Sequence, residues 1–276
     1  MITAKNYLWT ASQARLQLVR SSEGRNLQWL FLPGGPGLGS ESLSPLIDIL
    51  KLPGNMWRLD LPGDGSNTTS NNAESFSHWS QALIEATQAL KNVILVAHSR
   101  GGMFALATPD LEKNLTGLVL MTTAPDMDWQ KDLESKLVDY PLPEADEADN
   151  IYRKSPSNAL LRDCIIAAAP RMFFTKEGLK KGVQFLSQLP FNYEVFQWAE
   201  EHFDPTYKAQ WVPERIPTLI LSGDKDIAIP LKHFEQRNEY KRDNVLMKAI
   251  ENAGHFPWIE NPQSVIAAFN EYMRML

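Results

Sequence analysis

Residues 93–102, with the sequence VILVAHSRGG, constrain the fold more than any other stretch of this chain. The first five residues are apolar and rich in β-branched side chains, a pattern typical of a strand that is buried on both faces. The apolar residues 103–107 that follow the two glycines indicate the start of a buried helix. A strand that turns directly into a helix at Ser99 holds the serine hydroxyl out of the sheet and aims the first N–H groups of the helix at the atom that the hydroxyl attacks.

The glycine at position 101 fits this interpretation, because a side chain two residues after the serine would collide with a neighbouring strand or helix. The usual pattern of such a turn is G-x-S-x-G, and here Ala97 replaces the first glycine. Alanine is the smallest replacement, so we expect the packing of the turn to be preserved. The alternative interpretation of Ser99 is a residue that only caps the N-terminus of a helix.

The composition is that of an ordinary globular protein, with 43% hydrophobic and 22% charged residues among 276. This length allows one large domain with an inserted lobe. The net charge of −6, without a basic stripe, argues against a nucleic-acid partner. Residues 1–6 lack the apolar core of a signal peptide, and no apolar run approaches the ~20 residues of a membrane span. With Cys164 as the only cysteine no internal disulfide can form, and we expect a cytoplasmic protein with no membrane partner.

Short apolar segments alternate with helix-like segments along most of the chain. Strands are predicted at residues 7–10, 16–20, 27–32, 56–60, 93–97, 117–122, 218–221 and 244–250, and helices at residues 43–50, 78–90, from 103 onward, and 264–275. This alternation predicts an α/β fold, with a mostly parallel sheet flanked by helices.

The alternation is interrupted between residues 126 and 211, where no short β-branched run is found. Helix-like segments at residues 158–169, 176–188 and 193–201 indicate an inserted helical cap. We interpret the acidic patch at residues 144–149 as a solvated loop of this cap. The predicted domains are a core of residues 1–126 and 211–276 and a helical cap of residues 127–210.

A serine hydroxyl is a poor nucleophile at neutral pH and needs a base within hydrogen-bond reach. His255 is the best candidate of the five histidines, because it follows the last predicted strand in a Gly-His turn, at the same carboxyl edge of the sheet as Ser99. We interpret His98 as a packed structural residue, since neighbouring side chains of a strand point to opposite faces. The other three histidines, His78, His202 and His233, are expected at the surface.

The base in turn needs a carboxylate that orients it. Asp224 and Asp226 both follow the strand that precedes the last one. A carboxylate that turns inward usually lies deeper in such a loop, which favours Asp226 as the orienting acid and leaves Asp224 to cap the turn. Asp126, after the strand at residues 117–122, is a weaker alternative.

Two backbone N–H groups are candidates for binding the oxyanion of a tetrahedral intermediate. Because Gly34 and Gly35 follow a predicted strand, the N–H of Gly35 can face the oxyanion together with the N–H of Arg100. Each such donor contributes about 2.7–4 kcal/mol in the transition state. An ordinary turn is the alternative interpretation of residues 33–37, and a phosphate loop is excluded because no Gly-Lys-Ser/Thr follows. We expect no metal and no cofactor.

Together, five segments resemble the α/β-hydrolase fold family across nearly the whole chain. They are Pro33-Gly34-Gly35-Pro36-Gly37, Asp60-Leu61-Pro62-Gly63-Asp64-Gly65-Ser66, Ala97-His98-Ser99-Arg100-Gly101-Gly102, Ser222-Gly223-Asp224-Lys225-Asp226 and Gly254-His255-Phe256. The resemblance implies that the second aspartate of the fourth segment, Asp226, supplies the acid, and that the second segment is a structural loop near the pocket. The chain departs from the family pattern at Pro33, where a histidine usually precedes the two glycines, and at Ala97.

We therefore predict a serine hydrolase of the carboxylesterase type. Ser99 attacks the acyl carbon, His255 takes and returns the proton, and Asp226 holds the imidazole. The expected substrate is a small, partly apolar molecule with an ester, thioester or related acyl bond, which is cleaved through an acyl-enzyme.

Alternative functions stay open at the level of sequence. The Gly-Gly-Pro-Gly segment is similar to that of prolyl iminopeptidases, but those enzymes typically have Trp after the serine, where this chain has Arg100. Such an aminopeptidase also needs carboxylates for the substrate amine, for which Glu194, Glu200 and Glu201 are candidates. A non-catalytic receptor for a small molecule, and the carbon–carbon bond hydrolases and lyases of the same family, are further alternatives. A dehalogenase is disfavoured, because its nucleophile is an aspartate.

Overall fold

The strand predicted at residues 93–97 lies inside an eight-stranded sheet in the computed structural model, which describes residues 7–68 and 73–276. The strands are β1 (Tyr7–Trp9), β2 (Arg15–Ser22), β3 (Gln28–Leu32), β4 (Gly54–Asp60), β5 (Val93–His98), β6 (Leu115–Met121), β7 (Thr218–Gly223) and β8 (Val245–Ile250). Their order across the sheet is β1-β2-β4-β3-β5-β6-β7-β8. β2 runs antiparallel to its neighbours β1 and β4, and all other pairs are parallel. The predicted mostly parallel sheet is confirmed.

Helices connect most of these strands. They are α1 (Ser44–Ile49), α2 (Ala73–Ser77), α3 (Trp79–Gln88), α4 (Arg100–Leu106), α5 (Asp128–Asp139), α6 (Pro143–Lys154), α7 (Asn158–Ala167), α8 (Lys176–Leu186), α9 (Tyr193–Trp198), α10 (Lys232–Glu235), α11 (Pro257–Glu260) and α12 (Pro262–Tyr272). Within the described ranges, no helix combines the length and the apolar character that crossing a membrane requires. Met1–Asn6, in which the sequence shows no signal-peptide core, lie outside those ranges.

Both faces of β5 are buried, as the sequence predicts. Ile94 and Val96 pack into an apolar cluster with residues of α1 and α12. Val93, Leu95 and Ala97 pack into a second cluster with residues of α3 and α4. All five side chains are fully buried. Because alternate residues of a strand face opposite sides, the two clusters cover the two faces of the sheet and hold β5 rigidly between them.

The chain between β6 and β7 is helical. We call residues 128–206, which contain α5 to α9, the helical insertion. The segments predicted at residues 158–169, 176–188 and 193–201 correspond to α7, α8 and α9, the last of which continues as a π-helical turn at Ala199–Phe203. This insertion is joined to the core by the main-chain N–H of Asn192, which donates to the carbonyl of Gly37 over 2.8 Å.

The prediction of a solvated loop at residues 144–149 is wrong, because these residues belong to α6. A proline at the first helical position and the acidic Glu144 and Asp146 in the first turn all favour the N-terminus of a helix. The acidic side chains are largely exposed, as expected. The patch is therefore the solvated face of a helix, and its acidic residues help to start that helix.

A buried carboxylate shapes the loop that follows β3. Asp64 Oδ1 accepts hydrogen bonds from the main-chain N–H groups of Gly37 (2.8 Å) and Gly39 (3.2 Å). Burial, and then the charge of nearby Asp60, raise the pKa of Asp64 well above its ordinary value. This is the structural role that the resemblance implies for the segment. The Asp64 carboxyl is thus an ionisable group at a buried place where its charged form is costly.

We predict that Asp64→Asn removes a pH-dependent loss of stability. The side-chain oxygen of the asparagine can still accept both hydrogen bonds, and the asparagine side chain does not ionise. A raised pKa means that the folded protein binds more protons than the unfolded chain, so stability falls as the pH rises from ~4 through the folded-state pKa. The free energy of unfolding, measured by urea denaturation at a series of pH values, should therefore favour the variant increasingly as the pH rises. Asp48→Asn, at an exposed site, is the control, and pH curves that stay parallel for wild type and Asp64→Asn contradict the prediction.

Candidate active site

The turn from β5 into α4 has a strained backbone at Ser99. This residue has φ 53° and ψ −130°, a conformation that side-chain-bearing residues rarely adopt. The N–H of Ser99 donates to the carbonyl of Met121 on β6, and the carbonyl of Ser99 accepts from Gly102 in α4, both over 2.9 Å. These bonds hold the serine between the strand and the helix. The predicted sharp turn at Ser99 is confirmed.

Two glycines allow the neighbouring chain to approach this turn. A Cβ at Gly101 would lie 2.2 Å from the carbonyl oxygen of Pro33, which confirms that position 101 must be glycine. A Cβ at Gly34 would lie 2.6 Å from the Cβ of Ser99. The loop after β3 therefore packs directly against the serine. Ala97 is fully buried, so the sheet accommodates its methyl group.

The structure brings Ser99, His255 and Asp226 together at the carboxyl edge of the sheet. The Oγ of Ser99 lies 3.1 Å from Nε2 of His255, and Nδ1 of His255 lies 2.9 Å from Oδ2 of Asp226. The side chain of Asp226 is fully buried, and that of His255 is 11% exposed. The three groups form one hydrogen-bonded series, with the hydroxyl at its accessible end.

Main-chain groups fix both ends of the imidazole–carboxylate pair. The second oxygen of Asp226 accepts from the N–H groups of Ala228 (2.9 Å) and Ile229 (3.1 Å). The main-chain N–H of His255 donates to the main-chain carbonyl of Met172 over 2.8 Å, and Met172 belongs to the helical insertion. The orientation of this pair therefore depends on the core and on the insertion together.

The other two candidate acids lie elsewhere. Asp224 pairs with Lys225 over 2.9 Å, and its second oxygen lies 3.4 Å from the N–H of Ala253. Asp126 pairs with Arg237. Of the three aspartates considered from the sequence, Asp226 is the one whose carboxylate contacts His255.

His98 is buried beside His255, in agreement with its interpretation as a packed residue. Its ring packs edge-on against Trp258, and its Nε2 lies 3.3 Å from the carbonyl oxygen of His255. Burial, and then the proximity of His255, lower the pKa of His98 well below that of an ordinary imidazole. A neutral His98 can donate from Nε2 to that carbonyl, which supports the turn that carries His255.

The surface location predicted for His233 is wrong, whereas His78 and His202 are exposed as predicted. His233 lies in the four-residue helix α10, next to the fully buried Phe234. A helix of one turn is too short to show a periodic apolar face. No local pattern in the sequence therefore indicates that His233 is buried.

The side chain of Arg100 makes contacts that the sequence pattern does not predict. Its Nε donates to Asp204 over 3.1 Å, and Nη2 donates to the second oxygen of the same carboxylate. Its Nη1 donates to the carbonyl of Gly35 over 2.7 Å. The guanidinium thus ties the helical insertion to the loop that carries Gly35. The partners lie 104 and 65 positions away in the chain, so no local pattern could indicate them.

A cavity of about 190 Å³ opens beside Ser99. Gly35 and Arg100 line it, and Arg100 is the first residue of α4, where a main-chain N–H has no partner within the helix. The remaining lining residues are mostly apolar, and they are Gly34, Leu38, Ser42, His98, Ser99, Trp129, Ile165, Met172, Phe196, Ala228, Ile229, His255 and Phe256. This cavity can receive a small apolar group next to the hydroxyl.

No group of three or more His, Cys, Asp or Glu side chains in the described part of the chain is arranged to hold a metal ion. The chemistry that this arrangement itself supports is nucleophilic. A hydroxyl, an imidazole and a carboxylate are aligned as proton transfer from the serine requires.

Comparison with known proteins identifies the family. Residues 29–268 match the family described as "Alpha/beta hydrolase family". The chain belongs to that family. The resemblance noted from the five sequence segments is therefore confirmed, and with it the fold class.

Relatives and solved structures of similar fold cover most of this chain. "Putative esterase/lipase 2" of Mycoplasma pneumoniae is 23% identical over 79% of this chain and 78% of its own length. An alpha/beta fold family hydrolase from Bacillus anthracis superposes with a TM-score of 0.74, at 14% identity, over 98% of this chain and 99% of its own. An esterase from Exiguobacterium antarcticum superposes with a TM-score of 0.72, at 17% identity, over 98% of this chain and 100% of its own.

Proposed function

We propose that this family member is a serine esterase that cleaves small, partly apolar esters or thioesters through an acyl-enzyme. The observation that carries the proposal is the hydrogen-bonded series from Asp226 through His255 to Ser99, which ends at an apolar cavity. The similarity to a relative described as an esterase/lipase, and to a solved structure described as an esterase, supports an ester substrate.

In the proposed reaction, Ser99 Oγ attacks the acyl carbon while Nε2 of His255 takes its proton. The N–H groups of Gly35 and Arg100 bind the oxyanion that forms. The intermediate then collapses, and the alcohol or thiol leaves with the proton from His255. A water molecule gives a proton to His255 and attacks the acyl-enzyme, which releases the acid and restores Ser99. Asp226 accepts from the Nδ1–H of His255 and holds the imidazole in the required tautomer.

The domain assignment belongs to this proposal. Residues 127–210 act as the cap, and residues 1–126 and 211–276 act as the hydrolase core. Trp129, Ile165, Met172 and Phe196 of the helical insertion line the cavity, which supports a role of the cap in substrate selection. A cytoplasmic location remains part of the proposal, and it is supported by the free Cys164, the only cysteine.

The cavity favours an ester over the amino-terminal residue of a peptide. Its lining, which lies within the described ranges, includes no carboxylate that could bind an α-amino group. Glu200 and Glu201 line a different cavity of about 480 Å³, together with Asp204. Glu194 is exposed and belongs to neither lining.

We predict that a fluorophosphonate probe labels the wild-type protein and does not label Ser99→Ala. Asp226→Asn should lower kcat for p-nitrophenyl butyrate by about 10⁴-fold, because the imidazole would then be held in the wrong tautomer. Asp224→Asn is the matched control, two residues away in the same loop, and should keep most of the activity. Unlabelled wild-type protein would indicate the receptor alternative. Equal losses in the two Asn variants would contradict the role of Asp226.

The size of the cavity predicts an acyl-chain preference. A protein cavity of about 150 Å³ accommodates a benzene molecule, so the 190 Å³ beside Ser99 fits an acyl group of roughly six carbon atoms or fewer. Among p-nitrophenyl esters of graded length, kcat/KM should be highest between acetate and hexanoate and should fall by at least about tenfold at dodecanoate. Proline-naphthylamide, assayed alongside, should be cleaved far more slowly. A maximum at dodecanoate would contradict this assignment of the acyl site.

We predict that Arg100→Gln lowers kcat by about 10- to 100-fold with little change in KM, because the loop that carries the N–H of Gly35 loses its tether. Asp204→Asn should act in the same direction. Arg153→Gln is the control, since Arg153 pairs with Asp149 at the surface. A change confined to KM would show that the guanidinium contributes to substrate binding rather than to the position of the loop.

A further inference from the structure

A second and larger cavity, of about 710 Å³, shares a wall with the cavity beside Ser99. Residues 226–230 contribute to both, because Ala228 and Ile229 line the cavity at Ser99, whereas Asp226, Ile227 and Pro230 line the larger one. The larger cavity lies between this loop and two parts of the helical insertion, residues 136–142 and 170–174. We call it the basic cavity.

Cations outnumber carboxylates in the lining of the basic cavity. Four basic side chains line it, namely Lys136, Arg171, Lys225 and Lys232, against two acidic ones, Asp224 and Asp226. Asp226 is already bonded to His255 and to two main-chain N–H groups. Two further carboxylates, Asp146 and Asp132, lie outside the lining and pair with Arg171 and Lys232, so the excess of cations is a property of the lining itself.

Three of the four cations pair with a carboxylate, namely Arg171 with Asp146 (3.2 Å), Lys225 with Asp224 (2.9 Å) and Lys232 with Asp132 (2.5 Å). Lys136 donates to the carbonyl of Ile227 over 3.2 Å and has no carboxylate within ion-pair distance in the described part of the chain. Burial, and then the charge of Lys232, lower the pKa of Lys136. The Nε of Arg171 is buried without a hydrogen-bond partner. An anion in the cavity would supply the missing negative charge and an acceptor.

Apolar surface is exposed in the same place. Tyr140 (60% exposed) and Phe174 (53% exposed) line the basic cavity, and both are among the few large hydrophobic side chains that the fold leaves exposed. Pro141 and Leu142 add to this surface. The Nζ of Lys225 lies 5.8 Å from the centre of the Phe174 ring. Exposed aromatic side chains beside cations form a surface for a ligand that carries both an apolar body and a negative charge.

We propose that the basic cavity binds an amphiphilic anion, with a carboxylate or phosphate head held by Lys136, Lys225 and Lys232 and an apolar body packed on Phe174 and Tyr140. A volume of about 710 Å³ is within the range of protein sites for small organic ligands. The site is separate from the cavity in which Ser99 lies, and it does not depend on the proposed esterase activity. The head could be that of a free fatty acid or of a phosphate ester, and the two are distinguished by the probes.

The test is isothermal titration calorimetry of the protein with octanoate and octyl phosphate, compared with octanol and octyltrimethylammonium. At least one of the two anions should bind at least about tenfold more tightly than octanol and octyltrimethylammonium. The anion that binds more tightly then shows whether the site prefers a carboxylate or a phosphate head. The double variant Lys225→Gln/Lys232→Gln should weaken the binding of that anion by about tenfold or more. The control Lys113→Gln/Lys131→Gln changes the net charge equally at two exposed lysines outside the cavity lining and should leave the affinity unchanged.

The apolar part of the site is tested in the same way. Phe174→Ala should weaken the binding of the anion several-fold, whereas Val138→Ala, at a still more exposed position outside the lining, should not. An anion that binds the double lysine variant as tightly as wild type occupies another place, such as the cavity at Ser99, and overturns the proposal. The proposal is equally overturned if no anion binds, if octanol binds as well as the anions, or if the charge-matched control loses as much affinity as the double variant.

Discussion

The backbone of Ser99 is the constraint on which the rest of the site depends. Its φ of 53° and ψ of −130° can be maintained only if the surrounding structure leaves no room for relaxation. That condition is met because β5 is buried on both faces and because Gly34 and Gly101 allow the loop after β3 to press against the turn. The same contacts hold Gly35 and Arg100 in the wall of the cavity beside Ser99.

A parallel sheet explains how such distant residues meet. Strands β5, β7 and β8 end at the same edge, and the residues that follow them are Ser99, Asp226 in its loop, and His255 in its turn. Ser99 and His255 are 156 positions apart in the chain. Their contact therefore requires β5, β6, β7 and β8 to be assembled side by side. The alignment of the three side chains therefore depends on the stability of the sheet.

The features that can be predicted from the sequence are those that depend on interactions between residues close together in the chain. The strands, the turn at Ser99 and the glycine at position 101 were predictable, because burial patterns and steric limits are local. The helix α6 was misread as a loop because acidic residues describe both a solvated loop and the first turn of a helix. The burial of His233, and the pairing of Arg100 with Asp204, depend on packing between elements far apart in the chain. No local pattern carries that information.

The core and the helical insertion contribute different parts of the site. The core supplies the serine, the imidazole, the carboxylate and both oxyanion N–H candidates, whereas the insertion supplies Trp129, Ile165, Met172 and Phe196 to the cavity wall. The main-chain N–H of His255 donates to the carbonyl of Met172, and Arg100 donates two hydrogen bonds to Asp204, so core and insertion are linked at the site. Because these links use the main chain of Met172 and the carboxylate of Asp204, the apolar side chains of the wall can vary without disturbing the aligned groups. The side chains of this wall are thus free to change while the geometry at Ser99 stays the same.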